Sequence, residues 1–467
     1  MGYVCIALTR LYGRRSCAYV VVDVITLYEH QKTALSLLRL NDGFALFMEQ
    51  GTGKTFPVLF RLAELAAGGR IESALIVAPK AVCESWVAKR KMLDYGRRQV
   101  LRGIRLEVVS YDMVWRREAY TKGSWDAVVL DESHYIKTPS TKRTKACLKI
   151  CSQARYRYIL TGTPVTNGQL CNLWAQLAAI DPVVVSGRVY PRCLGGDSYY
   201  KWIERVAWLD QWHQPKKYRD VAALQEIMGE WSYRITKAEC LDLPDKLPDE
   251  ILHVKLSDNA LKAHKDMAKH SAIMSLDTIA GNPLTRSLRL RQIASGFVET
   301  DDGETVQFNN AKIPILREFL SDWEGKIVIY AEFRRSIDAI SKLLGELKMP
   351  HVVLDGRQSD KGIWRKFQSD ENIRAIVCQY QSGSAGIDLY AADTMLFYEP
   401  SLSSNLTEQA RDRIHRIGQR KPCSYYWLLT DSIEQGIYKA LASYADFSEA
   451  LFNQWIGEYT KGQRLTA

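Results

Sequence analysis

Short apolar runs alternate with segments of helical periodicity along most of this chain, and that alternation limits the possible folds. Five runs rich in β-branched and aromatic residues follow one another in the first third: "GFALFM", "SALIVAP", "LEVVSY", "DAVVLDE" and "YRYILTGTP". Helical segments such as "FPVLFRLAELAAG" separate them. Strands that alternate with helices in this way form βαβ units, so the pattern predicts a parallel sheet flanked by helices.

The alternation returns in the last third, in "KIVIYAEF", "HVVLDG", "IRAIVCQYQSG" and "ADTMLFYEP". With 467 residues the chain is long enough for more than one domain of about 100–200 residues. We therefore predict an α/β fold with two domains, each a mainly parallel sheet flanked by helices, at residues 1–240 and 306–467. Residues 241–305, opened by the proline-containing "LDLPDKLPDE", are expected to form a linker and a helical protrusion.

Over about residues 166–235 the alternation is lost, and the segment is rich in Trp, Tyr and Arg, as in "DSYYKWIERVAWLDQWHQPKKY". It is predicted to be a helical insertion. Trp202, Trp208 and Trp212 fall near helical spacing, which favours packing at a helix interface. Aromatic residues beside cations also suit stacking on single-stranded nucleic acid, and that alternative stays open.

Charge and cysteine content narrow the class of protein. Lys and Arg number 63 against 53 Asp and Glu, a formal net charge of +10, which favours a polyanionic partner but is also found in ordinary basic proteins. The ten cysteines include no CxxC pair, which argues against a structural zinc site and suits a reducing compartment such as the cytoplasm. No run approaches the roughly 18 apolar residues of a membrane span, so we expect no association with a membrane.

The N-terminal "RRSCAYVVVDV" begins like a twin-arginine export signal. Asp23 interrupts its apolar run before the about 7–15 residues of a signal sequence are reached. The stretch is predicted to be a strand or a disordered lead-in, and the role of residues 1–26 stays open.

A glycine-rich turn, "MEQGTGKT", follows the first apolar run. Gly51 and Gly53 let the backbone amides around Thr52 point at phosphate oxygens, and the helix that follows adds its N-terminal dipole. Lys54 supplies a cation for the β and γ phosphates, and Thr55 offers its hydroxyl to Mg²⁺. The strict phosphate-loop pattern has Gly where this chain has Met48, so a flexible loop is the alternative.

Two carboxylates, Asp131 and Glu132, end the apolar strand of "WDAVVLDESHYIK". Asp131 is a candidate metal ligand, and Glu132 is a candidate to orient and deprotonate the water that attacks a phosphoryl group. The alternative is an acidic turn after a buried strand. Paired carboxylates are costly at such a position unless a cation accompanies them. The catalytic interpretation is favoured because the glycine-rich turn precedes them at a distance typical of one domain.

Near the C-terminus, "NLTEQARDRIHRIGQRKP" places Gln409, Arg413 and Arg416 at helical spacing, so that the two arginines share a helix face. Arginines can stabilise charge on a γ-phosphate, as arginine fingers do. A solvated basic helix is the alternative.

Together with "ILTGTPVTNG" and "QYQSGSAGIDLYAAD", these motifs resemble the superfamily-two helicases, and among them the compact, bacterial- or phage-type members of the Swi/Snf-like family of ATP-dependent DNA translocases. "LYEHQKTAL" resembles the family's glutamine motif, "ALIVAPKAVCESW" its motif Ia, "DESH" its DEAH-type box and "RIHRIGQ" its sixth motif. The resemblance spans about residues 27–434. It implies two RecA-like domains, with ATP held in the cleft between them.

The resemblance also implies roles for individual residues. Gln31 would contact the adenine, Thr161 and Thr163 would couple the nucleotide to the nucleic acid, and Gly386 and Asp388 would sense the nucleotide from the second domain. The implied nucleotide-binding set is Gln31, Gly51, Thr52, Gly53, Lys54, Thr55, Gly386, Asp388 and Gln409. The implied catalytic set is Lys54, Asp131, Glu132, Arg413 and Arg416, with Thr55 and Asp131 on the metal.

Nucleic-acid contacts in this family come mostly from backbone amides and from small or basic residues along the phosphates. The candidates are Lys80, Tyr111, Ser382 and Gly383, each of which could equally belong to the framework. The chain departs from the family at Gln50, since the family usually has Asp, Glu and Met before the first glycine of the loop.

The predicted function is that of a DNA-stimulated ATPase, with ATP and Mg²⁺ as cofactors, that translocates along duplex DNA. It is expected to be a monomer in the cytoplasm of a bacterium, or of the host cell if phage-encoded. A strand-separating, annealing or branch-migrating helicase is one alternative. An ATP-binding nucleic-acid module without turnover is another, although Glu132, Arg413 and Arg416 argue against it.

Overall fold

The structure is a computed structural model. It describes residues 25–96, 100–165, 168–213, 215–219, 221–276, 278–358, 360, 362–383, 386–443, 446, 451 and 455. The contacts divide the chain into two compact units, residues 1–242 and 243–467. The arginine-rich lead-in that sequence predicted to be a strand or disordered lies outside the described residues.

The first unit is built on a six-stranded parallel sheet with the order β10-β1-β5-β4-β2-β3. Its strands, with those of two small hairpins, are β1 Gly43–Met48, β2 Ser73–Ala78, β3 Arg105–Ser110, β4 Ala127–Asp131, β5 Tyr156–Leu160, β6 Pro182–Val185, β7 Arg188–Pro191, β8 Ala207–Leu209, β9 Pro215–Tyr218 and β10 Ser232–Ile235. Its helices are α1 Glu29–Leu40, α2 Thr55–Ala67, α3 Lys80–Gly96, α4 Tyr111–Arg116, α5 Glu118–Lys122, α6 Lys142–Gln153, α7 Leu173–Ile180, α8 Tyr199–Val206, α9 Val221–Trp231 and α10 Lys237–Cys240. Every residue of β1 and β4 is buried, as expected for parallel strands covered by helices on both faces.

The second unit has its own six-stranded parallel sheet, with the order β11-β20-β19-β16-β18-β17. Its strands are β11 Lys246–Val254, β12 Ala272–Ile273, β13 Thr278–Ile279, β14 Phe297–Glu299, β15 Thr305–Gln307, β16 Ile327–Ala331, β17 His351–Leu354, β18 Ala375–Gln379, β19 Thr394–Phe397 and β20 Cys423–Thr430. Its helices are α11 Asp258–His270, α12 Pro283–Ala294, α13 Lys312–Ser321, α14 Arg334–Glu346, α15 Trp364–Ser369, α16 Tyr380–Gly383, α17 Ser404–Arg411 and α18 Ile433–Ala442. The predicted α/β class with two parallel-sheet domains is confirmed.

Two segments differ from the sequence prediction. Residues 241–305 contribute β11, which pairs in parallel with β20, and α11 and α12, whose apolar residues join the second unit's core, so this segment belongs to that unit from residue 243 onward. The predicted insertion at 166–235 is only partly helical, because it contains the β6–β7 and β8–β9 hairpins and ends in β10 beside β1. Most residues of β11 are exposed or half-buried, so its sequence lacks the apolar run that marks a central strand.

No described helix is long and apolar enough to cross a membrane.

His264 makes the second unit sensitive to acid. It lies on α11 with no exposed surface, and burial lowers its pKa to about 3. A folded-state pKa below the unfolded value of about 6.5 means that the stabilising effect is complete above that value and is lost as pH falls. We expect the free energy of unfolding to fall by about 2 kcal/mol between pH 7 and pH 5 from this residue alone.

Urea unfolding of the wild type and of His264→Leu at both pH values checks this expectation. The variant lacks the titrating group. Its free energy of unfolding should therefore fall by about 2 kcal/mol less than that of the wild type between pH 7 and pH 5. Equal losses in the two proteins would contradict the assignment.

Candidate active site

Three predicted motifs meet at one edge of the first unit's sheet. The glycine-rich loop follows β1, Asp131 ends β4, and Thr161 follows β5, which lies between β1 and β4 in the sheet. Because the strands are parallel, their carboxyl ends lie at the same edge, where ligands bind in sheets of this kind. Residues more than one hundred positions apart in the chain are therefore neighbours there.

The loop at residues 49–54 has the backbone of a phosphate cradle. Gly51 and Gly53 have φ angles of 83° and 80°, which other residues rarely adopt. The positive φ favours glycine at position 53, and a Cβ there would also displace the Gln31 amide, since it would lie 2.2 Å from Nε2. Nζ of Lys54 donates to the carbonyl oxygens of Met48 at 2.9 Å and Glu49 at 3.2 Å, which holds the ammonium over the loop.

Helix α1 supports the loop from outside. His30 Nε2 lies 2.9 Å from the Thr52 carbonyl oxygen, and Gln31 Nε2 donates to the same oxygen at 3.1 Å and to that of Gly53 at 3.3 Å. The Gln31 amide oxygen accepts from the backbone of Tyr28. In this structure Gln31, which is 3% exposed, therefore orders the phosphate loop; its contact with an adenine stays a prediction.

Asp131 is a buried carboxylate with charges of both signs nearby. Its Oδ2 accepts a hydrogen bond of 2.7 Å from the indole of Trp86, on α3. Burial and, second, the charge of Glu132 raise the pKa of Asp131 to about 6, while Trp86, Lys54 and Lys89 act in the opposite direction. A divalent cation placed beside this carboxylate would favour its charged form.

Glu132 has a left-handed backbone, with a φ of 52°. Its Oε2 lies 3.3 Å from Nδ1 of His134 and accepts a hydrogen bond of 3.4 Å from the hydroxyl of Thr161. That hydroxyl also lies 3.2 Å from the His134 ring and accepts from the backbone of Thr163 at 3.1 Å. The carboxylate predicted to orient water is thus connected to both predicted coupling threonines.

The donors present at this edge fit Mg²⁺. The hydroxyl of Thr55 and the carboxylate of Asp131 are hard oxygen ligands, and magnesium takes one or two carboxylates, with waters and substrate phosphates completing its octahedron. The Thr55 hydroxyl here accepts a hydrogen bond of 3.3 Å from Lys89. Among the described residues there is no group of three or more His, Cys, Asp or Glu that could hold a metal ion.

Gln50, where the chain departs from the family pattern, is a buried residue of the loop itself. It is 8% exposed, and neither its amide nitrogen nor its amide oxygen has a hydrogen-bond partner. Its Cγ and backbone nitrogen would each lie 3.1 Å from a Cβ at Gly162, so the two loops are tightly packed here. Buried polar atoms without partners each cost about 1–3 kcal/mol.

We expect Gln50→Met to stabilise the nucleotide-free protein, because methionine has similar length and no polar group that needs a partner. The free energy of unfolding should rise by about 1–3 kcal/mol in denaturant titration. Gln50→Glu is the matched control and should lower stability, since it buries a charge. A loss of stability in the methionine variant would contradict the expectation.

In the second unit the predicted arginines are not on a helix. Helix α17 ends at Arg411, and Arg413 and Arg416 lie in the turns that follow it. Gln409 is in the helix, and its carbonyl oxygen accepts from Nε of Arg413 at 3.1 Å. The expectation of one shared helix face was therefore wrong, because the chain turns where helical spacing alone would continue it.

The two arginines nevertheless meet the loop predicted to sense the nucleotide. The carbonyl oxygen of Ile387 accepts from Arg413 at 3.2 Å and from Arg416 at 2.9 Å. Arg416 also forms an ion pair with Asp388, and Gly386, just before them, has a φ of 72°. Burial, followed by the charge of Arg416, lowers the pKa of Arg413 below its usual value.

Two of the predicted nucleic-acid contacts lie in the first unit. Lys80 begins α3 and is exposed. Tyr111 is 2% exposed, and its hydroxyl donates to the backbone carbonyl of Asp131 at 2.9 Å. Tyr111 therefore orders the strand end that carries the carboxylates, while Lys80 is available to a polyanion.

The other two lie on the short helix α16 of the second unit. Ser382 is half-buried, and Gly383 is buried. The carbonyl oxygen of Gly383 accepts from Tyr330 at 2.6 Å, and a Cβ there would come 2.8 Å from that of Cys378. Gly383 is thus required for packing, and direct contacts of both residues with nucleic acid stay predictions.

Four polar residues at the first unit's site had no role in the sequence prediction: His30, Trp86, Lys89 and His134. All lie within or next to the motifs quoted above. A lone Trp or Lys on a helix gives no signal of its partner, because that partner belongs to a different strand end.

Comparison with known proteins identifies the family. Residues 88–296 match the SNF2-related domain, and residues 311–418 match the helicase conserved C-terminal domain. The chain belongs to the Swi/Snf-like helicases. The matched ranges include Asp131, Glu132, Arg413 and Arg416, while the phosphate loop of this Swi/Snf-like chain lies before the first range.

Individual relatives of this Swi/Snf-like helicase are distant. An uncharacterised ATP-dependent helicase of Mycoplasma genitalium is 27% identical over 450 residues, covering 89% of this chain and 41% of its own length. A probable global transactivator of Orgyia pseudotsugata multicapsid polyhedrosis virus is 23% identical, covering 88% of this chain and 87% of its own length. The SWI2/SNF2 ATPase core of Sulfolobus solfataricus, solved in complex with dsDNA, is 23% identical with a TM-score of 0.42, covering 94% of each chain. The chain thus spans less than half the length of the mycoplasma helicase.

Proposed function

We propose that this protein hydrolyses ATP, with Mg²⁺ as cofactor, and uses the energy to translocate along duplex DNA. The observation that carries the proposal is the meeting of the glycine-rich loop, the two carboxylates and Thr161 at the carboxyl ends of the adjacent strands β1, β4 and β5. Phosphoryl transfer is catalysed mainly by positioning and by electrostatic stabilisation, and this edge supplies groups for both.

Each group at the edge has a defined task in hydrolysis. The loop amides and Lys54 bind the phosphates, so Nζ of Lys54 exchanges the carbonyl oxygens of Met48 and Glu49 for phosphate oxygens. Thr55 and Asp131 would hold Mg²⁺, which neutralises charge between the phosphates when bound. Trp86 fixes one oxygen of Asp131, so the carboxylate keeps its orientation.

Glu132 is proposed to orient the attacking water and to accept its proton. Its carboxylate is held by contacts with His134 and Thr161, which restrict its rotamers. Because Thr161 is also bonded to the backbone of Thr163, a shift of this loop would move the carboxylate. That connection is our proposed route by which nucleic acid affects turnover.

Duplex DNA is the proposed track. The family membership, the net charge of +10 and the exposed Lys80 support a polyanionic partner. Helicases that separate or anneal strands use the same ATPase chemistry, so the mechanical outcome needs its own assay.

A triplex-displacement assay beside a fork-unwinding assay tests the proposal. A translocase displaces the third strand in the presence of ATP and leaves the forked duplex paired. Strand separation at the fork, or no displacement of the third strand at any concentration of ATP, would contradict duplex translocation.

A further inference from the structure

The β8–β9 hairpin of the first unit has one face on the core. Ala207 is 1% exposed, and Leu209 and Tyr218 pack against the apolar cluster beside the sheet. The hydroxyl of Tyr218 accepts from the backbone of Cys171 at 3.0 Å, and the backbone of Arg219 donates to Val206 at 2.8 Å. The hairpin is therefore anchored, and its opposite face has a fixed orientation.

That opposite face combines an exposed indole with cations. Trp208 is 50% exposed and pairs across the hairpin with Lys217. The guanidinium carbon of Arg219 lies 4.9 Å from the centre of a Trp208 ring, and Nζ of Lys217 lies 5.9 Å from it. Lys216, which precedes Lys217 on the same strand, is also exposed. In an alternating hairpin this outward position is usually polar, and the Trp instead places an exposed aromatic ring among cations.

The tip of the hairpin presents a second indole. Trp212 is 72% exposed, and its backbone nitrogen donates to the carboxylate of Asp210 at 2.8 Å. The backbone of His213 donates to the Asp210 carbonyl at 3.0 Å, which closes the turn. Within the described hairpin residues, 207–213 and 215–219, Asp210 is the one acidic residue, and its carboxylate is engaged in this turn.

We propose that this aromatic-cationic face, formed by Trp208, Trp212, Lys216, Lys217 and Arg219, binds a single-stranded stretch of nucleic acid. Bases stack on the two exposed indoles, and the phosphates between them lie against the three cations. The inference rests on the proposed action on nucleic acid and adds a site for an unpaired strand. Of the three Trp side chains predicted to pack in this segment, Trp202 does so at 1% exposure, whereas these two do not.

The chemistry of the face favours a single strand over other polyanions. A duplex presents base edges and phosphates but not base faces, so it cannot stack on an indole without being unpaired. An apolar protein partner would cover the indoles but would leave three cations to be desolvated. A single strand with accessible bases can stack on the indoles and place its phosphates against the cations at the same time.

The test measures the fluorescence anisotropy of labelled oligo(dT) of about 16 nucleotides, and of a labelled duplex of equal length, with the full chain. Trp208→Ala combined with Trp212→Ala should weaken oligo(dT) binding about tenfold or more, since stacking contributes that much per base. Duplex binding and duplex-stimulated ATP turnover should be unchanged. Both indoles are exposed, so the variant should unfold at the wild-type temperature.

Two further variants sharpen the test. Trp208→Phe with Trp212→Phe keeps aromatic faces and should retain most of the oligo(dT) affinity. Lys217→Glu should weaken binding more than the same change at Lys149, an exposed lysine on α6 of the same unit.

An unchanged oligo(dT) affinity in the double alanine variant, equal losses for oligo(dT) and duplex, or no oligo(dT) binding by the wild type would overturn the inference. The wild type's ATP turnover with duplex, read from the same preparation, separates this outcome from failure of the proposed function. If duplex DNA does not stimulate turnover but oligo(dT) binding still depends on the two Trp residues, the proposed function is contradicted and the single-strand site is not.

Discussion

Lys54→Ala is expected to reduce ATP turnover by about 10²–10³-fold or more, the loss typical of removing one group that stabilises transition-state charge. In the structure Nζ of Lys54 lies over the phosphate loop, 2.9 Å from the carbonyl oxygen of Met48 and 3.2 Å from that of Glu49. Its charge also lowers the pKa of Asp131. Removal of the ammonium therefore weakens phosphate binding and favours protonation of Asp131, a proposed metal ligand.

Steady-state ATP hydrolysis with duplex DNA measures the effect. The fold should survive, because Lys54 is only half-buried and water can replace its ammonium at the two loop carbonyls. Lys149→Ala removes an exposed lysine of the same unit and should leave turnover unchanged. Wild-type turnover in the Lys54 variant, with the fold intact, would place the phosphate site elsewhere.

Glu132→Gln should slow hydrolysis by about 10²–10⁴-fold while leaving ATP bound, as expected when a general base is replaced by a neutral isostere. The amide can keep the contact with Thr161, which lies 3.4 Å from the carboxylate, but it cannot accept the proton of water. Loss of the charge also removes the second cause that raises the pKa of Asp131. Metal binding is therefore expected to be retained or strengthened.

Single-turnover hydrolysis and equilibrium binding of a fluorescent ATP analogue separate the two effects. The variant should bind the analogue as tightly as the wild type and release no phosphate on the wild-type timescale. Glu118→Gln, which removes an exposed carboxylate paired with Lys122, is the matched control and should hydrolyse normally. If the variant loses both binding of the ATP analogue and hydrolysis, Glu132 maintains the structure of the site and does not act as the base.

Most central strands of the two sheets could be predicted from sequence because they are buried on both faces, although the central strand β20 was not among the predicted ones. Such strands have continuous apolar runs, as in Gly43–Met48 and Ile327–Ala331. Two of the four edge strands lack that signal: β10 is half exposed and β11 mostly so, and neither was predicted as a strand, whereas the edge strands β3 and β17 were predicted from their apolar runs. The order of the strands could not be predicted from the sequence, because the placement of β5 between β1 and β4 depends on pairing between distant segments.

The candidate site was predictable where a motif determines local backbone. Gly51 and Gly53 have the positive φ that a phosphate loop needs, as their spacing indicated. Partners from other elements were not predictable: Trp86 on Asp131, and Gln31 on the loop carbonyls, follow from tertiary packing. The turns that carry Arg413 and Arg416 were missed because helical spacing does not reveal where a helix ends.

The most direct test of an ATPase driven by duplex DNA is the rate of ATP hydrolysis measured side by side without nucleic acid and with single-stranded DNA, duplex DNA or RNA. We expect low turnover without nucleic acid and the largest stimulation by duplex DNA, at a salt concentration held constant because phosphate contacts are screened. Equal rates in all four conditions, or stimulation by RNA alone, would contradict a motor that acts on duplex DNA.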